Sequence, residues 1–166
     1  MGSEAVKKAA TFVAVCVAQV MVLNHIHLAG CALPLLQVYI ILLFRRGYPK
    51  WGVLLWGFFA GIVTDIFANT IGIGAASMTL AAALQPYILQ MFIPKDAASE
   101  LKPTLKDLGW LKYSVYAFVV IFIFVAAYFS LETFSLSNKG LWLSSVLAST
   151  ALTLVLVLTI ESVRKR

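Results

Sequence analysis

Residues 31–50 read CALPLLQVYIILLFRRGYPK, and the number of membrane crossings in this chain depends on how they are interpreted. They join a short apolar run, 31–44, to the basic residues Arg45, Arg46 and Lys50. A transmembrane helix needs about 20 apolar residues, so by length alone this run could be a re-entrant or interfacial segment. Whether this run crosses the membrane decides on which side each later loop lies.

The composition of the whole chain is that of an integral membrane protein. Of its 166 residues, 61% are apolar and 12% are charged, whereas soluble domains have about 45–50% apolar and about 25% charged residues. Six apolar runs predict an all-α fold with six transmembrane helices in one compact bundle, a single membrane domain covering residues 1–166. The predicted spans are 9–29, 31–44, 51–68, 73–93, 113–131 and 141–160, with a cytoplasmic loop at 94–112.

The distribution of Lys and Arg favours six crossings. If all six runs cross and the N-terminus is cytoplasmic, twelve of the 13 basic residues are cytoplasmic and Lys139 alone lies outside. If 31–44 fails to cross, only three basic residues, Lys7, Lys8 and Lys139, lie inside and ten lie outside. Cytoplasmic segments of membrane proteins are enriched in Lys and Arg. We therefore predict a multi-pass protein with both termini cytoplasmic.

The end of the first span has a second interpretation. The sequence Leu28-Ala29-Gly30-Cys31, after a basic and apolar stretch, is similar to the lipobox of a lipoprotein signal. Asn24, His25 and His27 interrupt the apolar region that such a signal requires. We therefore predict an uncleaved first helix. The two cysteines of the chain indicate neither a disulfide framework nor a metal site.

Small residues at four-residue spacing predict helix faces that pack closely in a membrane. Such stripes are Ala10, Ala14 and Ala18 in the first span; Gly57 and Gly61, followed by Asp65, in the third; and Ser145, Ser149 and Thr153 in the sixth. Packing within the chain is the simpler interpretation of each stripe. Alternatively, one stripe binds the transmembrane helix of a partner. The first span is favoured for this role because it is terminal and can lie at the edge of the bundle.

Polar residues near the apolar runs gather at one level, close to the predicted outer surface. They are Asn24, His25, His27, Asp65, Asn69 and Glu132. A charged group at the centre of a membrane helix costs about 2.5–3.5 kcal/mol, and less near the interface. We expect a shared outer polar cluster in which Asp65 accepts a hydrogen bond from Asn24 or a histidine. Its role is either to satisfy these groups structurally or to contact a ligand or partner.

These residues do not match a known catalytic or metal site. His25 and His27 are two positions apart, which places them roughly 200° apart on a helix. No Ser–His–acid arrangement, phosphate-binding glycine loop or mid-membrane carboxylate is evident. We predict a protein that is not an enzyme and needs no metal or cofactor. The net charge of +6 fits the membrane topology and attraction to anionic lipid, so nucleic acid is not an expected partner.

Several short motifs follow one another in a recognisable order. They are QVMVLNHIHL at 19–28, Pro34 with Tyr39, WGFFAGIVTDIFANT at 56–70, LQPY at 84–87, FIPKD at 92–96, LKP at 101–103 and LETFS at 131–135. In this order, over about residues 15–160, they resemble the rod shape-determining protein MreD family, in its Bacteroidetes-type version. The most family-like element is Gly61-x-x-x-Asp65 and the turn after it. That turn reads Ile71-Gly72 here, where relatives usually have Pro-Gly.

The resemblance implies a function that composition does not. Proteins like MreD are non-enzymatic inner-membrane members of the bacterial elongation (rod) complex. They work with MreC, with the actin-like MreB and with the glycosyltransferase–transpeptidase pair that builds lateral peptidoglycan. Their fold resembles that of the six-helix substrate-binding subunits of energy-coupling-factor vitamin transporters.

That second likeness supplies an alternative function, a vitamin-binding subunit of such a transporter. Those subunits use an Ala-x-x-x-Ala stripe on the first helix to meet their transport partner, and the Ala10, Ala14 and Ala18 stripe is similar to it. The outer loops of this chain are too short for a good lid over a pocket, so we favour the scaffold. Self-association is left open.

Overall fold

The computed structural model describes residues 10, 12–17, 19, 34–70, 72–93, 103–105, 108–132 and 139–164, and within them the regular structure is entirely α-helical. The first helix, α1, is described at residues 12–17, and residues 10 and 19 are also helical. The others are α2 (Val38–Leu42), α3 (Lys50–Ala68), α4 (Ile73–Phe92), α5 (Trp110–Glu132) and α6 (Lys139–Arg164).

Three helices are long and apolar enough to cross a membrane. They are α3, α5 and the Trp142–Val163 part of α6. Helix α4 has 20 residues, but Ser77, Thr79, Gln85 and Gln90 lower its mean hydropathy and it is not one of the three. All four long helices begin and end within four residues of a predicted span, because each predicted span was a long apolar run bounded by charged residues or, at 69–72, by turn residues.

The predicted second span, 31–44, does not form a helix of that length. Within its described part, 34–44, helix α2 has only five residues. Pro34 has no backbone N–H to donate and favours an extended or turn conformation, which explains why no helix runs through it. The segment 34–44 is nevertheless buried, with Val38, Ile41 and Leu42 completely inaccessible to solvent. We call it the buried segment.

Helices α3 and α4 form a tight antiparallel hairpin. Its turn contains two left-handed residues, Asn69 at φ 55° and Gly72 at φ 84°. Gly72 takes this conformation without the steric penalty that a β-carbon brings. The two helices approach most closely at Gly61, where an added β-carbon would lie 2.6 Å from both the backbone nitrogen of Ala75 and the backbone oxygen of Gly74.

Contacts between the helices place the start of α3, the end of α4 and the start of α5 at one end of the bundle. The Nζ of Lys50 donates a hydrogen bond to the Tyr87 hydroxyl at 3.1 Å, and the Phe92 and Tyr116 rings are 6.2 Å apart. Helix α6 packs against α5, and only six residues separate the two helices. That connection is too short to run back along α5, so α6 runs antiparallel to α5 and ends toward the same level. We call this the basic end. Its basic residues in the described ranges are Arg45, Arg46, Lys50, Lys112 and Arg164.

The opposite end carries Asp65 near the end of α3, Glu132 at the end of α5 and Lys139 at the start of α6. Most of the predicted loop 94–112 lies outside the described residues. Its last three positions belong to α5, which begins at Trp110. Leu105 and Leu108 are buried, so this part of the loop folds back on the bundle.

Candidate partner interface and polar sites

Asp65 caps the neighbouring helix of its own chain. Its side chain is only 5% exposed, and its two carboxylate oxygens accept hydrogen bonds from the backbone N–H groups of Gly74 and Ala75 at 2.8 and 2.9 Å. The Thr70 hydroxyl donates a third bond at 3.0 Å. The first N–H groups of a helix lack partners within the helix, and its N-terminus attracts negative charge. Asp65 therefore satisfies the start of α4 and joins α3 to it.

The structure brings part of the predicted outer polar cluster together. Thr70, which donates to Asp65, lies near Tyr128 of α5, and both Asp65 and Glu132 are close enough to interact electrostatically with Tyr128. Asn69 is exposed at the end of α3. The remaining predicted members of the cluster lie outside the described residues; they are Asn24, His25 and His27. The sequence analysis did not predict the described donors to Asp65, which include Thr70, or the position of Tyr128 beside them.

The glycine stripe of the third span packs inside the chain. A β-carbon at Gly57 would lie 2.9 Å from the Ala82 β-carbon and 3.1 Å from the Met78 backbone oxygen. Gly61 makes the still closer approach to α4 described above. Small residues let two helix backbones approach in a membrane, and here both glycines serve the α3–α4 hairpin. This face is not accessible to a partner helix.

The serine stripe of the sixth span is also turned inward. Ser149 is completely buried, and Ser145 is half-buried. Thr153, one turn further along, accepts a hydrogen bond from the Leu35 backbone N–H at 3.1 Å. This side of α6 therefore supports the buried segment.

The stripe of the first span differs, because it faces outward. Ala10 and Ala14 are exposed, and Val13 and Val17 are 57% and 49% exposed. At about 100° per residue, these four positions lie on one face of the helix. Ala18 lies outside the described residues. The opposite side of α1 carries Val15 and Cys16, which are buried in the core. Of the three stripes, this is the one whose described members are open to a partner.

A set of buried polar side chains, which sequence reasoning missed, satisfies the backbone of the buried segment. Gln19 of α1 donates to the Pro34 carbonyl at 3.0 Å and accepts from the Leu36 N–H at 2.7 Å. The Thr153 hydroxyl of α6 accepts the Leu35 N–H. A further bond, between side chains, runs from the Thr64 hydroxyl of α3 to the Gln37 side-chain oxygen and holds the segment to α3. Buried backbone N–H and C=O groups need partners. Side chains from other helices supply the partners that a longer helix would have supplied itself.

Two further buried polar pairs lie toward the basic end. The Tyr39 hydroxyl donates to Glu161, which is also buried. Gln85 of α4 donates to the Phe44 carbonyl at 3.3 Å and to the Tyr116 hydroxyl at 2.8 Å. Ionisable residues within membrane segments are uncommon and have partners. Glu161 is such an ionisable residue at the end of an apolar run, but the predicted sixth span ended at residue 160, so Glu161 was not singled out.

The described residues contain no group of three or more His, Cys, Asp and Glu side chains arranged to hold a metal ion. Many of the buried polar groups bond the backbone or one another, whereas the Trp142 indole N–H and the Thr150 hydroxyl have no hydrogen-bond partner among the described residues. Surfaces open to other molecules, within the described part of the chain, include the outward face of α1, an exposed apolar face of α3 and the surface of the basic end. No protein-family model matches the sequence, and no curated protein or solved structure matches it either.

Proposed function

We propose that this protein is a non-enzymatic integral membrane scaffold of the bacterial elongation (rod) complex, similar to MreD. In this role it binds MreC and, through the complex, acts with MreB and the peptidoglycan-building glycosyltransferase–transpeptidase pair. The proposal has two supports. One is the ordered set of motifs that resembles the MreD family. The other is the outward small-residue face of α1, the observation that carries the proposed mode of binding.

The proposed topology is six crossings in the inner membrane, in a bundle like that of the energy-coupling-factor subunits. The buried segment is bonded to Thr64 at one end and to Gln85 at the other. Thr64 lies 14 residues beyond Lys50, which is about 21 Å along the α3 axis. Non-helical backbone is tolerated at membrane depth where it is enclosed by protein. These contacts support a second crossing made by a mostly non-helical segment.

The direction of α1 supports cytoplasmic termini. The Phe12 ring is 5.1 Å from the ring of Trp56, and Gln19 bonds the start of the buried segment. Helix α1 therefore runs in the same direction as α3 and starts toward the basic end. Because α6 ends there as well, the described start of α1 and the end of α6 lie toward the same basic surface. The positive-inside rule assigns that surface to the cytoplasm.

The proposed MreC interface is the face of α1 formed by Ala10, Val13, Ala14 and Val17. Helix association in lipid depends on close van der Waals packing, because lipid tails are as apolar as the side chains that they contact. A larger side chain on this face therefore keeps a partner helix at a distance. It leaves the fold of this chain intact, because the face points away from the bundle.

The test is recovery of MreC with the purified protein after co-expression. Ala14→Leu is expected to lower recovery at least about tenfold, equivalent to about 1.4 kcal/mol. Ala151→Leu is the matched control, because Ala151 is also exposed but lies on α6. It should leave recovery unchanged. Equal recovery with both variants would refute the α1 interface, and recovery of no MreC with the unaltered protein would refute the scaffold role.

The vitamin-binding alternative is less well supported. It needs free polar groups in a pocket near the outer surface, whereas both oxygens of Asp65 already accept bonds from this chain. Mass spectrometry of the purified protein for a co-purifying vitamin distinguishes the two functions. A stoichiometric vitamin would favour the transporter subunit over the scaffold.

A further inference from the structure

Three basic residues are concentrated in the short connection between the buried segment and α3. Gly47, at φ 84°, and a hydrogen bond from the Tyr48 N–H to the Arg45 carbonyl, at 3.2 Å, make this connection a tight turn. Arg45 and Arg46 are half-buried in it, and Lys50 is exposed just after it. The turn thus holds three cationic side chains close together where α3 begins.

The surroundings of these cations are aromatic and contain little negative charge. Lys50 lies over the Tyr87 ring, with its Nζ 4.5 Å from the ring centroid. Trp51 is 68% exposed. In the described part of the basic end the acidic residue is Glu161, which is buried and accepts a bond from Tyr39. Among the described residues of the basic end, basic side chains therefore outnumber acidic ones.

An exposed apolar track starts next to the turn and continues along α3. Its first members are Trp51, Leu55, Phe58 and Phe59, all among the exposed large apolar side chains. A molecule that contacts both features needs an anionic group for the cations and hydrocarbon for the track. A phospholipid has both, whereas an acidic soluble protein would leave the apolar track uncovered.

We propose that the turn at residues 45–50 and the adjoining face of α3 form a binding site for one anionic phospholipid. The phosphodiester lies against Arg45, Arg46 and Lys50, and an acyl chain lies along the α3 track. Both arginines also interact within the chain. The five N–H donors of a guanidinium group allow it to keep an internal partner and bind phosphate at the same time. This site is independent of the proposed scaffold role.

The experiment uses the full chain in nanodiscs that contain phosphatidylcholine with a minor share of phosphatidylglycerol. Native mass spectrometry then counts the lipids that stay bound on release from the disc. The unaltered protein should retain phosphatidylglycerol in preference to phosphatidylcholine. A basic residue near a membrane surface contributes about 1 kcal/mol to binding of anionic lipid. Arg45→Gln with Arg46→Gln should therefore lower that preference about 30-fold.

Three further variants make the result specific. Lys50→Gln changes an exposed residue and should lower the preference about fivefold without affecting folding. Replacing both arginines with lysine keeps the charge and should retain most of the preference. Lys139→Gln removes the same charge at the opposite end of the bundle and should have no effect. Equal retention of the two lipids by the unaltered protein, or an equal loss with Lys139→Gln, would overturn the site.

Discussion

The closest approach of α3 and α4 gives the sharpest prediction of stability. In the variant Gly61→Ala, the new β-carbon would lie 2.6 Å from backbone atoms of Gly74 and Ala75. Backbone atoms cannot rotate away as a side chain can. The nearest backbone atom is the Ala75 α-carbon, and to reach an ordinary contact of 3.4 Å with it the two helices must separate by about 1 Å. That movement also lengthens and weakens both hydrogen bonds that Asp65 accepts from α4.

The expected loss of stability combines three contributions: overpacking, weakened hydrogen bonds and helix propensity. Overpacking costs about 1–3 kcal/mol, and a hydrogen bond to a charged group contributes about 1.5–3 kcal/mol. Replacing Gly with Ala in a helix returns about 1 kcal/mol. Because the helices relax and retain part of each bond, we expect a net loss of about 3 kcal/mol.

The assay is reversible unfolding in mixed bicelles with increasing dodecyl sulfate, followed by tryptophan fluorescence. Two glycine variants serve as a graded control. Gly57→Ala meets the Ala82 β-carbon at 2.9 Å and the Met78 backbone oxygen at 3.1 Å, a smaller overlap than at Gly61, and should cost about 1–2 kcal/mol. Gly140→Ala has no atom within 4 Å of the new β-carbon and should stay within about 0.5 kcal/mol of the unaltered protein. If Gly61→Ala is no less stable than Gly140→Ala, the reasoning is wrong.

Two further predictions use the same assay. Gln19→Leu leaves the Pro34 carbonyl and the Leu36 N–H without their side-chain partner and should lower the free energy of unfolding by about 2–4 kcal/mol. The control Gln90→Leu changes an exposed position of α4 and should not destabilise the protein. Equal effects of the two variants would contradict the role of Gln19. Asp65→Asn keeps one acceptor oxygen but turns an amide N–H₂ toward a backbone donor, so it should cost about 1.5–3 kcal/mol. The control Glu132→Gln neutralises an exposed carboxylate and should change stability by less than about 1 kcal/mol. A larger change with Glu132→Gln than with Asp65→Asn would contradict the capping role of Asp65.

The long helices were predictable from sequence because each contains a long apolar run, bounded by charged residues or, between α3 and α4, by the turn residues 69–72. The segment 34–44 was not predictable in the same way. Charge parity indicated that it crosses, but its conformation depends on partners such as Gln19 and Thr153, which are remote in sequence. Hydropathy and periodicity record only local properties, so they contain no information about such bonds.

For the candidate sites, too, the features that depend on local sequence were predictable and those that depend on remote contacts were not. Sequence identified all three small-residue stripes, since spacing is a local property. It could not identify which stripes face inward, because that depends on how α3 meets α4 and how α6 meets the buried segment. The sequence predicted that Asp65 lies near one end of its span, but it did not predict the backbone N–H groups that bond Asp65. Those groups lie nine and ten residues further along the chain, beyond a turn whose geometry the sequence does not determine.

The bond between Leu35 and Thr153 has a consequence for biogenesis. Its two residues are separated by 118 positions in the chain, so the ribosome completes one long before it reaches the other. During that interval the N–H of Leu35 is without its final acceptor, and bare peptide groups are costly in hydrocarbon. Residues 34–44 therefore reach their final position only after α6 has emerged and inserted, and a nascent chain arrested before Thr153 should hold them in a water-accessible state.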